Sequence, residues 1–229
     1  MKIIQNDERL QEKLATYHFN HIFPQLERVP FVLQHYDADE AILNEGENIP
    51  ALLYLVEGKI KATGSVGNGR SLLLRFSHPL AVIGDIEFVR HIPVQSQITA
   101  VSDCLFIAVS FQYLRKYEMD NAAFLRHLLT HVTYKLQTNT AASRVNLLAP
   151  VDQRFASYLL SVMEGNHFAL DMQSATVSDL AELLGTSHRH LNRVIKHLAE
   201  AGIIERDRRK IRVLDEAALE QLSEGVRYE

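Results

Sequence analysis

The sequence predicts an α+β fold in which an N-terminal β-roll precedes a long helix and a C-terminal winged helix-turn-helix. Short apolar runs separated by glycine turns fill residues 29–109, whereas residues 120–148 contain neither glycine nor proline. Two short helical patterns and a charged hairpin come after them. We therefore expect an N-terminal helix and β-roll over 1–119, a long helix with a hinge over 120–149, and the winged helix-turn-helix over 150–229.

Composition and the N-terminal segment indicate the cellular compartment of the protein. Of its 229 residues, 47% are hydrophobic and 23% are charged, as in ordinary globular proteins. The segment Met1 to Lys13 is polar and charged, unlike a signal or transit peptide. No apolar run approaches the ~18 residues of a membrane span. We expect a cytoplasmic protein with no membrane partner.

Cys104 is the only cysteine. One thiol cannot form an intrachain disulfide, an all-cysteine zinc site or an iron–sulfur cluster. Its neighbours Val101, Leu105 and Ile107 are apolar, so we expect a buried structural thiol. We predict no metal and no cofactor.

The N-terminal elements follow from the spacing of apolar residues and turns. Residues Asp7 to Phe19 have a helical pattern, and the runs Leu52–Val56, Leu72–Phe76 and Ile98–Val101 are typical of strands. Turn signals such as Glu57-Gly58-Lys59 separate the runs. Many short strands with glycine turns predict a small barrel or double-sheet roll.

The long helix carries apolar residues at steps of three and four, and Asn139 and Ser143 continue the same stripe. Such a narrow seam is typical of a coiled-coil dimer, but also of a helix packed on its own domain, and periodicity leaves both open. The predicted dimer-interface residues are Leu125, Leu128, Leu129, Val132 and Leu136. Pro150 predicts a break, and a further helix follows over Val151 to Met163.

The segment from Thr176 to Ile204 predicts two helices joined by a tight turn. Gly185 suits a turn with positive φ, and Ser187 is placed to cap the second helix. The first helix packs through Val177, Leu180, Ala181 and Leu184, and the second through Leu191, Val194, Ile195 and Leu198. This spacing is typical of a helix-turn-helix, whose second helix presents hydrogen-bond donors to the DNA major groove.

The charge of this segment favours a helix-turn-helix that binds double-stranded DNA over an ordinary helical hairpin whose basic face is only solvated. Residues 187–212 contain eight basic and three acidic side chains. The outward-facing residues of the second helix are His188, Arg189, Asn192, Arg193 and Lys196. A β-hairpin follows, and Arg208 and Arg209 at its tip are placed to contact phosphates.

This order of parts resembles the CRP/FNR family of bacterial transcription regulators over nearly the whole chain. The resemblance is carried by Asn44–Glu47, Leu53–Ile60, Gly69–Leu72, Ile83–Glu87, Leu184–Ser187 and Arg193. Segments 68–72, 83–87 and 187–191 are also similar to the YeiL subgroup. The resemblance implies a cyclic-nucleotide-binding-like roll, a homodimer joined along the long helix, and a palindromic operator with half-sites about one helical turn apart.

The resemblance also implies residue roles. His188, Arg189 and Arg193 match base-reading positions, and Ser187 matches a phosphate-contacting one. The family's frequent Glu at the position of Arg189 is absent, so the operator should differ from those of the best-known members. Family members recruit or block RNA polymerase, which makes polymerase an expected partner.

Cyclic-nucleotide-binding members carry a Gly-Glu and an Arg-Ser pair in the roll. Here these pairs become Gly84-Asp85 and Val94-Gln95, which removes the arginine that would grip a phosphate. Asn139 and Thr140 match the family's base-facing positions, or form a polar dimer seam. We expect a small effector other than cyclic AMP, or control by abundance.

An enzyme is the first alternative class of function. A cupin-type enzyme needs clustered histidines, whereas His35, His78 and His91 are isolated along the sequence, and no phosphate loop or nucleophile elbow appears. We therefore expect no enzymatic activity. The alternative is a cyclic-nucleotide-like ligand-binding module that acts through protein contacts.

Overall fold

The computed structural model describes residues 1–65, 71–163, 176–207 and 210–226. The chain divides into two compact units, and the first consists of Met1–Ser65 and Phe76–Lys135. The second unit is the rest of the chain. The predicted motif residues 68–70 lie outside the described residues, as do Arg208 and Arg209.

The helices are α1 Asp7–Thr16, α2 Asp85–Arg90, α3 Phe111–Tyr117, α4 Ala122–Leu148, α5 Val151–Met163, α6 Val177–Leu183, α7 His188–Glu200 and α8 Glu216–Ser223. The strands are β1 Lys2–Ile4, β2 Val32–Tyr36, β3 Ala41–Leu43, β4 Ala51–Glu57, β5 Ile60–Ser65, β6 Ser71–Ser77, β7 Val82–Ile83, β8 Gln97–Ala100, β9 Cys104–Ser110, β10 Ile204–Asp207 and β11 Lys210–Val213. Within the described part of the chain, none of the helices is both long enough and apolar enough for a bilayer.

Two sheets form the N-terminal roll, as the sequence predicts. One has the strand order β1-β2-β9-β4-β7 and the other β3-β8-β5-β6. The pair β4–β9 is antiparallel, from Ala51 opposite Ser110 to Glu57 opposite Leu105, with one register shift. Residues 52–56 of β4 are buried on both faces of the strand, which explains their unbroken apolar run.

Aromatic side chains join the roll to the start of α4. Phe124 of α4 is fully buried, and its ring lies 5.7 Å from that of Phe23 and 6.1 Å from that of Phe88. Leu128, one turn later, belongs to the same core cluster. Burial of these rings fixes the first turns of α4 against the roll.

The turn at Gly58 also positions the single cysteine. Gly58 has a φ of +91°, and a Cβ there would clash with the carbonyl oxygen of Asp103, so no other residue fits. The thiol of Cys104 is buried and donates to the carbonyl of Lys59 at 3.3 Å. The predicted burial of Cys104 is confirmed, and burial raises the pKa of its thiol, as in a structural cysteine.

One short helix interrupts the described part of the region that the sequence predicts as strands. Residues Asp85–Arg90 form α2, which begins after Gly84 in the left-handed region with a φ of +89°. A six-residue helix is too short to show a helical period of apolar residues, so the sequence pattern does not distinguish it from a strand. α2 matters for the site below because it presents Asp85.

Candidate nucleic-acid interface and effector site

The first helix and the turn of the helix-turn-helix are built by local caps. The Thr176 hydroxyl accepts the Asp179 N–H at 3.2 Å, and the Asp179 carboxylate accepts the Thr176 N–H at 2.9 Å. Gly185 adopts a φ of +59° in the turn. Ser187 then caps α7 by accepting the His190 N–H at 3.2 Å. The predicted positive φ and the predicted cap are both confirmed.

α7 has one buried and one exposed face. Leu191, Ile195 and Leu198 are buried in the domain. The exposed face carries four of the residues that the sequence predicts, namely His188, Arg189, Arg193 and Lys196. Lys196 forms an exposed ion pair with Glu200 at 3.5 Å. Arg189 and Arg193, in contrast, form no ion pair with any residue that the structure describes, so both guanidinium groups remain available to a partner.

The side chain of Asn192 forms hydrogen bonds within its own domain. Its side-chain oxygen accepts a hydrogen bond from Nη1 of Arg206 at 2.8 Å, and its amide nitrogen donates to the carbonyl of His188 at 2.9 Å. The sequence predicts Asn192 as a DNA-binding residue and does not single out Arg206. No local signal identifies this pair, because the two residues belong to different elements.

The wing is an antiparallel hairpin of β10 and β11, in register from Ile204 opposite Val213 to Asp207 opposite Lys210. Arg212 pairs with Glu205 directly across the hairpin, at 3.0 Å. This ion pair neutralises one of the wing's cations. Arg208 and Arg209, which the sequence predicts as phosphate-contacting residues, lie outside the described residues.

In the predicted effector site, Asp85 already has a partner. Its carboxylate is almost fully buried and accepts from Nζ of Lys135 at 2.7 Å. The same ammonium donates to the carbonyl of Val82 at 2.7 Å. Val94 is buried and Gln95 is exposed. The sequence identifies Asp85 but misses Lys135, fifty residues away.

Asn139 and Thr140 are exposed residues of α4 and belong to the second unit. The side-chain oxygen of Asn139 accepts from Nη2 of Arg75 at 2.5 Å. The hydroxyl of Thr140 donates to the carbonyl of Leu136 within the helix at 2.7 Å. Both residues line an open pocket of about 360 Å³ with Ser143, Arg144, Leu147 and Leu148.

The predicted dimer seam needs one correction. Leu125, Leu129 and Leu136 are exposed, with 37%, 62% and 65% of their surface accessible, and Val132 between them is partly buried. Leu128 is only 5% exposed and packs in the core of the roll, which removes it from the predicted interface. The remaining four residues are spaced by four, three and four, as in a coiled-coil seam.

A histidine pair lies on the face of α4 that packs on the roll. The ring of His127 lies 5.8 Å from that of Tyr54 and 4.5 Å from that of His131. Burial, with a smaller contribution from His131, lowers the pKa of His127 to about 4. Burial and Lys135 also lower the pKa of His131. Both rings are therefore neutral at physiological pH.

The free energy of unfolding is expected to fall as the pH drops from 6.5 towards 4. In that window His127 takes up a proton when unfolded but not when folded, so protons favour the unfolded chain. Urea unfolding at several pH values measures the slope, which His127→Gln should reduce. The control His190→Gln changes an exposed histidine. An unchanged slope in His127→Gln would contradict the expectation.

Metal ligands come close together at one place in the described residues. Ligand atoms of His35, Asp37 and Asp103 lie within 4.8 Å of one another at the surface of the roll. The Asp37 carboxylate already accepts from Nζ of Lys2 at 2.7 Å. Lys2 thus supplies one positive charge next to the two carboxylates.

Two family models match the chain in the predicted order. Residues 33–121 match the cyclic nucleotide-binding domain, and residues 153–222 match the Crp-like helix-turn-helix domain. Among curated proteins, the chain is 27% identical to the regulatory protein YeiL of Escherichia coli O157:H7, over 75% of this chain and 76% of that protein. It is 22% identical to a CRP-like cAMP-activated global transcriptional regulator of Mycobacterium tuberculosis, over 85% of this chain and 87% of that protein.

Solved structures show the same fold. A transcriptional regulator of the CRP family from Thermus thermophilus superposes with a TM-score of 0.69 at 20% identity. The match covers 86% of this chain and all of that one. The two curated relatives and the solved structure named here are all described as transcription regulators, and none as an enzyme.

Proposed function

We propose how this chain works from one premise: it belongs to the CRP/FNR family of transcription regulators. It acts as a homodimer that binds a palindromic operator in double-stranded DNA, and through the operator it recruits or blocks RNA polymerase. The chromosome is in the bacterial cytoplasm, so we assign the protein to that compartment.

The observation that carries the proposal is the pair Arg189 and Arg193 on the exposed face of α7. The two are one helical turn apart and have no acidic partner in the described part of the chain. Arginine matches guanine O6 and N7 with two parallel hydrogen bonds, which makes it a common base reader. Ser187 caps the N-terminus of α7, where backbone N–H groups favour a phosphate.

The exposed seam of α4 supports the homodimer. On one stripe of this long helix, Leu129 and Leu136 are largely exposed in the single chain and Leu125 is about one-third exposed. Pairing with a second copy would bury all three. A two-fold dimer presents two α7 helices, which read half-sites about 34 Å apart on one side of the DNA.

The effector is expected to differ from cyclic AMP. Asp85 is already neutralised by Lys135, and Val94-Gln95 provides no cation for a phosphate. A small effector of other chemistry, or control by protein abundance, fits these residues. Calorimetry with cyclic AMP is expected to show no binding in the micromolar range, and tight binding would overturn this part of the proposal.

Arg193→Ala is expected to lower operator affinity about 10- to 100-fold, or about 1–3 kcal/mol, because a base contact is lost. Fluorescence anisotropy on operator and on random-sequence DNA of equal length measures the effect. The control Arg212→Ala removes a guanidinium that Glu205 already neutralises. Equal losses on both DNAs would contradict base reading. A wild-type affinity that does not change with salt would favour the protein-contact alternative.

A further inference from the structure

A hydrogen bond between Asn192 of α7 and Arg206 of the wing links these two elements, and the Asn192 amide has a defined orientation in it. The amide of Asn192 is held from the helix side, because its nitrogen donates to the His188 carbonyl. Its oxygen therefore faces the wing, where it accepts from Nη1 of Arg206. Arg206 lies on β10 opposite Ile211, and its side chain is exposed.

This contact fixes the guanidinium of Arg206 beside the recognition helix. The hydrogen bond uses one of the five N–H donors of an arginine and leaves four for another partner. Asn192 lies one turn from His188, at the end of α7 that enters the groove. Glu205, the neighbouring carboxylate on the strand, is engaged by Arg212. Arg206 forms no ion pair with the described residues.

A fixed guanidinium suits base recognition better than phosphate recognition. A phosphate attracts a mobile cation from many directions, whereas guanine requires two donors aligned with O6 and N7. An arginine that is already oriented loses less side-chain entropy when it binds. The Asn192 amide orients the Arg206 guanidinium, and such orientation would help base recognition but is not needed for a phosphate contact.

We propose that Arg206 of the wing is a base-reading residue and that Asn192 is the positioning residue that orients it. The proposal rests on the proposed function and deepens it. Each half-site then contains one base pair that is read from the wing, next to those read by Arg189 and Arg193.

The test measures binding of the full-length chain to its selected operator and to every single-base-pair variant of it. Arg206→Ala is expected to lose about 10- to 100-fold of discrimination at one base pair in each half-site. Asn192→Ala should lose part of the same preference at the same base pair. The double variant should be no worse than Arg206→Ala. Asn192→Asp keeps an acceptor for Arg206 and should retain the preference, even if overall affinity falls.

The control is Arg212→Ala, and circular dichroism melts verify that each variant folds. A loss in Arg206→Ala that is equal for all sequences, with a salt slope smaller by about one, would identify a phosphate contact and overturn the proposal. A change in Asn192→Ala at a different base pair would show that Asn192 reads a base itself, which also overturns it. A wild-type chain without any sequence preference would instead overturn the proposed function.

Discussion

Leu129→Glu is expected to convert the proposed homodimer to a monomer and to lower affinity for a two-half-site operator at least about 100-fold. Leu129 is 62% exposed in the centre of the α4 seam, where a second copy would place its own seam. Two facing glutamates would repel each other and would have to be desolvated. Loss of the dimer removes the gain from linking two half-sites, which is on the order of 10²–10⁴.

Sedimentation velocity and binding to one-half-site and two-half-site DNA measure the two effects. Affinity for a single half-site should change little, because α7 is untouched. The matched control is Met119→Glu, since Met119 is also exposed, at 47%, but precedes α4 and lies off the seam. A Leu129→Glu variant that remains a dimer, or a Met119→Glu variant that loses as much affinity, would be inconsistent with the proposed interface.

Lys135→Met is expected to lower the free energy of unfolding by about 3–5 kcal/mol, the usual cost of leaving one member of a buried ion pair alone. The Asp85 side chain is only 2% exposed, and Lys135 is its ion-pair partner at 2.7 Å. The second carboxylate oxygen of Asp85, Oδ2, has no hydrogen-bond partner among the described residues. Without the ammonium, a buried carboxylate would face the core uncompensated.

Urea unfolding measures the loss. The double variant Asp85→Asn with Lys135→Met should recover much of it, because the unpaired charge is gone. Lys196→Met is the control, since its pair with Glu200 is exposed and should contribute less than about 0.5 kcal/mol. Equal stability of Lys135→Met and the wild type would show that the pair does not hold α2 to α4.

The elements with strong local signals could be predicted from the sequence. Pro150 and the apolar period mark α5, whose bounds Val151–Met163 match the prediction. Gly185 and Ser187 define the turn between α6 and α7, because a positive φ and a helix cap depend on neighbouring residues only. The order of the parts, and hence the family, followed from such signals.

The features that the sequence does not predict depend on contacts between residues far apart in the chain. Lys135 meets Asp85 across fifty positions, and Arg206 meets Asn192 across fourteen, which no local pattern reveals. Leu128 and Leu129 are adjacent and equally apolar. Only the packing of Phe124 on the roll determines that Leu128 turns inward and Leu129 outward.

The purified chain can be used to select DNA from a random-sequence library, at near-physiological salt and without added ligand. This selection shows directly whether the chain recognises a palindromic operator as a dimer. The chain is expected to enrich an inverted repeat whose half-sites lie about one helical turn apart. Absence of any enriched sequence for a folded dimer, both alone and with an extract of cell metabolites, would contradict this expectation.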